Sequence, residues 1–212
     1  MVDTTDLLGP QMVLVADARE SVAAVEADWR DVQRSLGGDE TACGRLFGRY
    51  EADVGRQMQR FSRDRGVYEE LVHEVFVEVY LSLGRYRPKG VPFGHWVARI
   101  ATRVGYRYWK QAARRRREVP LEGTDVEAPT EASDAGAAEL LHSLLARLAA
   151  ADRLVLTLMY FEDCSVQAIA ERTGWNQAMV KMRVYRARRK LKAMIEKRGI
   201  LEQLQGMING NA

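Results

Sequence analysis

Apolar residues recur along this chain at helical spacings of three and four, and sustained apolar–polar alternation is absent. Between 68 and 83 they fall at Leu71, Val72, Val75, Phe76, Val79, Tyr80 and Leu83, one stripe of a helix. An earlier helix carries Leu46, Phe47, Tyr50 and Val54; a later one, after Pro92, carries Phe93, Trp96, Val97, Ile100 and Val104. These three are expected to bury a shared core that includes Phe93 and Trp96. Residues 12–36 are expected to add an amphipathic helix in front. In the second half, Leu140, Leu141, Leu144, Leu145 and Leu148 open one helix, and Leu154, Leu158 and Phe161 mark the next.

A distinctive pair follows. Ser165 can cap a short helix through Ala168, Ile169 and Ala170, and Gly174 can end it. Asn176 can then cap a longer helix running to about residue 197, with Val180, Val184, Ala187 and Leu191 as its buried edge. Short helix, glycine turn and longer helix have the spacing of a helix-turn-helix. Between the halves, 119–138 holds Pro120, Gly123, Pro129, Gly136 and acids without an apolar period, the composition of a linker. The expected fold is all-α: two small helical domains joined by a flexible acidic linker. The boundaries read as a partly helical N-terminal extension 1–34, a first domain 35–117, a linker 118–138, a second domain 139–198 and a tail 199–212.

Charge sharpens this picture. The 212 residues carry 32 bases and 29 acids, a net of only +3. That small sum hides blocks. Residues 1–40 hold nine acids and three bases; 103–117 hold seven bases and no acid; 118–146 hold seven acids and no Lys or Arg; 171–198 hold ten bases and two acids. Basic blocks suit phosphate, and acidic blocks suit a basic protein groove. The longest mostly apolar run, Leu154 to Phe161, is far too short to span a bilayer, and the start of the chain lacks a secretory pattern. Cys43 and Cys164 lie far apart, next to apolar residues on helical stretches, and read as buried thiols. A cytoplasmic location is expected. Neither a Gly-rich phosphate loop nor metal-ligand spacing among His73, His95, His142 and the cysteines is present, so no enzyme, metal or cofactor is expected.

With its apolar edge inward, the last helix would present Lys181, Arg183, Arg186, Arg188, Arg189, Lys190 and Lys192 outward. Packed like charges disfavour an isolated helix by a few tenths of a kcal/mol (~0.2–0.5) per pair, and phosphates remove that cost. Docking geometry makes Gln177, Lys181, Met182, Tyr185 and Arg186 candidates for base edges, with Arg183 and Arg189 on the backbone.

On these residues the sequence resembles the sigma-70 family of sigma factors, specifically the small extracytoplasmic-function (ECF) group, over about 35–197. Asp152-Arg153 through Tyr160-Phe161-Glu162, then Ser165, Ala168-Ile169-Ala170, Gly174, Val180-Lys181, Arg183, Arg186-Ala187-Arg188 and Leu191 are similar to the family's region 4, which reads the promoter −35 element. Gly38-Asp39-Glu40, Ala42, Leu46-Phe47 and Tyr50 resemble the start of region 2. Glu70-Leu71-Val72-His73-Glu74-Val75-Phe76 matches its acidic-Leu-Val-Gln-Glu-Val-Phe signature, with His73 in place of Gln, and Phe93, Trp96, Ile100 and Ala101 match the following helix. The resemblance implies that Glu70, Leu71, His73, Glu74, Phe76 and Glu78 dock on the β′ clamp coiled coil of core RNA polymerase. It implies that region 4 meets the β flap, and that Lys89, His95, Arg99, Arg103, Tyr106, Arg107 and Lys110 open and read the −10 element. An anti-sigma factor is a further implied partner, and the acidic linker would thread the polymerase channel.

Residue chemistry agrees. Glu70, Glu74 and Glu78 share a helical stripe that a basic surface would stabilise, and Arg103, Arg107 and Lys110 lie on one face with Tyr106 and near Trp109, a mixture suited to single-stranded DNA. Two positions depart from the family: Thr102-Arg103 stands for its Arg-Asn, and Arg107 for a later Asp. The rival reading is a stand-alone helix-turn-helix regulator with an N-terminal helical sensory domain.

Overall fold

In the computed structural model, residues 22–88, 91–118 and 134–197 are described; Lys89, most of the linker and both termini lie outside them. The described residues form helices without a strand. Two compact units divide between Ala101 and Thr102, inside a single helix.

The first unit contains α1 (Val22–Leu36), α2 (Glu40–Gln59), α3 (Arg65–Ser82), a 3-10 turn (Leu83–Arg85) and the beginning of α4 (Phe93–Glu118). Asp39 caps α2 by accepting from the Ala42 N–H at 3.0 Å, just after Gly38 takes the left-handed φ of 91° that lets the chain reverse. Asp64 caps α3 in the same way, accepting from Val67 at 2.9 Å. Leu46, Val54 and Met58 from α2, Leu71, Val75 and Val79 from α3, and Phe93, Val97 and Ile100 from α4 are buried. Each such side chain stabilises the fold by about 1.5–3 kcal/mol relative to exposure. Phe93 packs edge-on against Tyr86 at 5.0 Å, and half-buried Trp96 lies 5.4 Å from both rings.

α1 is a built-in member of this bundle. It runs across the expected boundary at 34/35, buries Val32, and sets Asp28 and Asp31 against Arg45, Arg49 and Tyr50 of α2. The part of the expected helix before Val22 lies outside the described residues.

In the second unit, α5 (Asp134–Ala146) begins inside the stretch read as linker and α6 (Ala150–Tyr160) follows after a short turn. α7 (Val166–Thr173) and α8 (Gln177–Lys197) complete it. The expected caps form. Ser165 Oγ accepts from Ala168, Gly174 ends α7 at φ 76°, and Asn176 Oδ1 accepts from Met179 at 2.7 Å. Val180, Val184 and Ala187 are buried against α6 and α7, and Leu191 is half-buried beside Leu140 and Leu144. Buried Cys164 sits in the loop between α6 and α7, not on a helix; Cys43 is on α2 and half-buried. Burial pushes both thiols above their ordinary range, which makes them poor nucleophiles.

Candidate nucleic-acid interface

The outward face of α8 is the most chemically specialised surface of the second unit. Gln177, Lys181, Met182, Tyr185, Arg186 and Arg189 are all exposed, as the helical period requires once Val180, Val184 and Ala187 turn inward. Tyr185 is 65% exposed and Met182 48%, large apolar surfaces left in water beside cations. A base edge offers such groups a thymine methyl, and the cations offer guanine and phosphate a charged donor.

Of the bases expected to face outward, only Arg183 departs; Arg188, Lys190 and Lys192 are exposed but paired with neighbouring groups. Arg183, read as a DNA-backbone contact, is half-buried: its guanidinium approaches Asp152 at 3.5 Å and lies 4.9 Å from the Trp175 ring. Lys190 donates to the other Asp152 oxygen at 2.6 Å. Arg188 lies over Tyr160 at 5.3 Å and donates to Met159. Lys192 sits 3.8 Å from Glu196 on its own helix. Neighbouring α6 thus gathers Arg183, Arg188 and Lys190 that the one-dimensional pattern could not distinguish from Lys181, Arg186 and Arg189.

The second candidate face lies along α4. His95, Arg99, Arg103 and Arg107 recur at four-residue steps, so they share one side of the helix, with Lys110 following. His95, Arg103 and Lys110 are exposed; Arg99, Tyr106 and Arg107 are half-buried. Lys89 lies outside the described residues. Tyr106 and Trp109 differ from an open stacking surface: Tyr106 meets Trp175 edge-on at 5.8 Å, and Trp109 is buried with the Arg153 guanidinium 3.8 Å from its ring centre.

On α3, Glu70, His73 and Glu74 are exposed and Glu78 is half-buried, so the carboxylate stripe does face outward. Leu71 does not belong to that surface. It is 4% exposed and forms the core with Val75 and Val79, because it lies on the opposite side of the same helix. Phe76 is half-buried, 4.9 Å from Phe47. Sequence reasoning missed Val77 and Leu81 and placed Tyr80 in the core. The three are 41%, 76% and 57% exposed and add an apolar strip to the acids. Its signal was present: α3 is apolar on more sides than one core can bury. Gly44 and Gly48 leave an open groove beside this face over Phe47, Val72 and Phe76. Among the described residues no three His, Cys, Asp or Glu side chains gather into a metal site, and no helix is long and apolar enough to cross a membrane.

Comparison with known proteins accounts for both halves. Residues 46–115 match the Sigma-70 region 2 family model and residues 138–191 the model for Sigma-70, region 4, together more than half of the chain. The chain belongs to the sigma-70 family. It is similar to the ECF RNA polymerase sigma factor BldN of Streptomyces coelicolor, 28% identical over 170 residues covering 77% of this chain and 64% of BldN. The chain thus spans just under two thirds of that relative's length. It is also similar to the RNA polymerase sigma-H factor of Pseudomonas aeruginosa, 27% identical over 176 residues, 77% of this chain and 91% of that protein. Two solved structures share the fold. CnrH, in complex with the cytosolic domain of CnrY, superposes with a TM-score of 0.54 at 22% identity, covering 81% of this chain and 99% of that one. RpoE from Bartonella quintana, in complex with the anti-sigma factor NepR, gives 0.51 at 19%, covering 72% and 96%. A region 2 domain occupies the place where a stand-alone regulator would carry its sensory domain, and that rival reading is not favoured.

Proposed function

We propose that this chain is an ECF-type sigma factor that binds core RNA polymerase and directs it to a class of promoters. The observation that carries the reading is the pairing, in one chain, of a region 2 bundle with an acidic and apolar α3 face and a region 4 helix-turn-helix with a basic outer face. In this reading Glu70, His73, Glu74 and Glu78, with the apolar strip Val77, Tyr80 and Leu81, dock on the β′ clamp coiled coil, while region 4 meets the β flap. His95, Arg99, Arg103, Arg107 and Lys110 of α4, with Lys89 and Tyr106, serve the −10 element. Gln177, Lys181, Met182, Tyr185, Arg186 and Arg189 serve the −35 element.

The division of labour follows from chemistry. Flipping a base from the duplex costs a few kcal/mol (~2–4), so cations and rings on α4 suit the melted strand. A recognition helix reads an intact groove, where one bidentate Arg–guanine pair discriminates by about 1–3 kcal/mol. The protein supplies recognition and the polymerase supplies the reaction. An anti-sigma factor covering the α3 face is the natural form of control. The deciding experiment is in vitro transcription from a promoter library with core polymerase, with and without this protein. Stimulated initiation from a subset of promoters is expected; no stimulation overturns the reading.

A further inference from the structure

Asp152 is 4% exposed in the first turn of α6, where the helix dipole favours a carboxylate. Both oxygens are used across the bundle: Oδ2 accepts from Lys190 at 2.6 Å and Oδ1 faces Arg183 at 3.5 Å. Arg183 and Lys190 are seven residues apart, two turns of α8, so one carboxylate can reach both. The Arg183 guanidinium is also held over Trp175, and its Nε is buried without a hydrogen-bond partner, although 35% of the side chain is exposed. Lys190 keeps 56% of its side chain exposed, and Lys181 and Arg186 are exposed as well, so what marks Lys190 is its ion pair with Asp152 and not burial.

We infer that Asp152 is a positioning residue that sorts the charges of the recognition helix, withdrawing Lys190 and Arg183 from DNA phosphates and leaving Lys181 and Arg186 to meet the groove. The inference rests on the proposed reading of α8 as the DNA-facing helix. Its physical content is a count. A dense run of cations would grip any duplex by its phosphates, a sequence-independent attraction that competes with promoter choice. Tying two cations to one buried carboxylate lowers that attraction while fixing the rotation of α8 about its axis, so the base-facing side chains keep their register.

Salt dependence measures the count directly, because the logarithm of the binding constant falls with slope about −0.9 per phosphate neutralised. The probe is a mixed-sequence DNA duplex, titrated with the full chain over a salt series by fluorescence anisotropy. Lys181→Met should make the slope shallower by about 1, whereas Lys190→Met should leave it unchanged, since Lys190 is already occupied. Asp152→Asn, with helicity checked by circular dichroism, should steepen the slope by about 1 or more, and in that background Lys190→Met should then lower it by about 1. A merely structural Asp152 would not make the effect of Lys190 depend on the carboxylate.

The inference is overturned if Lys190→Met costs as much slope as Lys181→Met in the otherwise unchanged protein, or if a folded Asp152→Asn variant shows no steepening. Salt-independent binding by the unchanged chain overturns it equally. Should Asp152→Asn fail to fold, the Lys190 and Lys181 comparison still decides. Failure of the sigma-factor reading appears elsewhere, as absent transcription with core polymerase, and leaves this comparison standing for any DNA-binding helix-turn-helix.

Discussion

Arg49 of α2 donates to Asp31 of α1 at 2.6 Å across 18 positions of sequence, and the same guanidinium lies 3.0 Å from Asp28. The two carboxyls respond differently. Burial lifts Asp28, and hydrogen bonds from Tyr50 and Arg49 do not offset it. Burial also pushes on Asp31, yet Arg45 and Arg49 together hold it below the usual range. Arg49→Ala leaves Asp28 buried with less compensation. A fully buried broken pair costs about 3–5 kcal/mol, and because Arg49 is 39% exposed we expect about 2 kcal/mol. Urea unfolding measures it. The exposed pair of Arg56 with Asp53 is the control, and Arg56→Ala should change stability by less than about 0.5 kcal/mol.

Asp39 predicts part of the acid limb of stability. Its carboxylate accepts from Thr41, the Ala42 N–H and Arg34, which hold its pKa at about 2, below the ordinary 3.8 of an aspartate. A folded-state pKa below the unfolded one gives stability that is present above the unfolded value and lost as pH falls through the folded one. The loss is therefore expected between pH 3.8 and about 2. Asp39→Asn keeps a capping oxygen but cannot titrate, so its thermal midpoint should fall less steeply over that window.

The recognition helix depends on its cap and on its exposed arginine in separable ways. Asn176→Ala removes the bond to Met179 and should lower stability by about 1 kcal/mol, read by thermal denaturation. Arg186→Ala should leave stability nearly unchanged and weaken −35-dependent initiation by about 1–3 kcal/mol. Equal losses in both assays would remove Arg186 from the base-reading set.

The two sides of α3 should respond to different measurements. Glu74→Lys and Leu81→Glu alter the exposed face and should abolish co-purification with core polymerase while helicity is retained. Leu71→Ala acts through the core instead, costing about 2–5 kcal/mol by opening a cavity. Unchanged co-purification of Glu74→Lys would place the docking surface elsewhere.

Most of the fold was legible because its signals are local. The stripe Leu71, Val75, Val79 and Leu83, the caps Ser165 and Asn176, and Gly174 at φ 76° each follow from spacing or from one residue's conformational preference. α1 was readable as a helix but not as part of the bundle. What binds it there is the set of ion pairs from Asp28 and Asp31 to arginines on α2, and charge pairing across a fold leaves no period in the sequence.

The sequence by itself determined an all-α chain with a helix-turn-helix in its second half, the basic residues along its last helix, and the family. Helical spacing and capping act within a few residues of the chain, so one dimension records them. Only the tertiary structure decided which residues are available. Lys181 and Lys190 carry the same charge on one helix, but it is Lys190, with Arg183, that Asp152 of α6 meets. Leu71 and Leu81 have the same side chain ten positions apart, but only one faces α3's packing partners. Availability depends on what lies opposite, and that is fixed when distant segments pack.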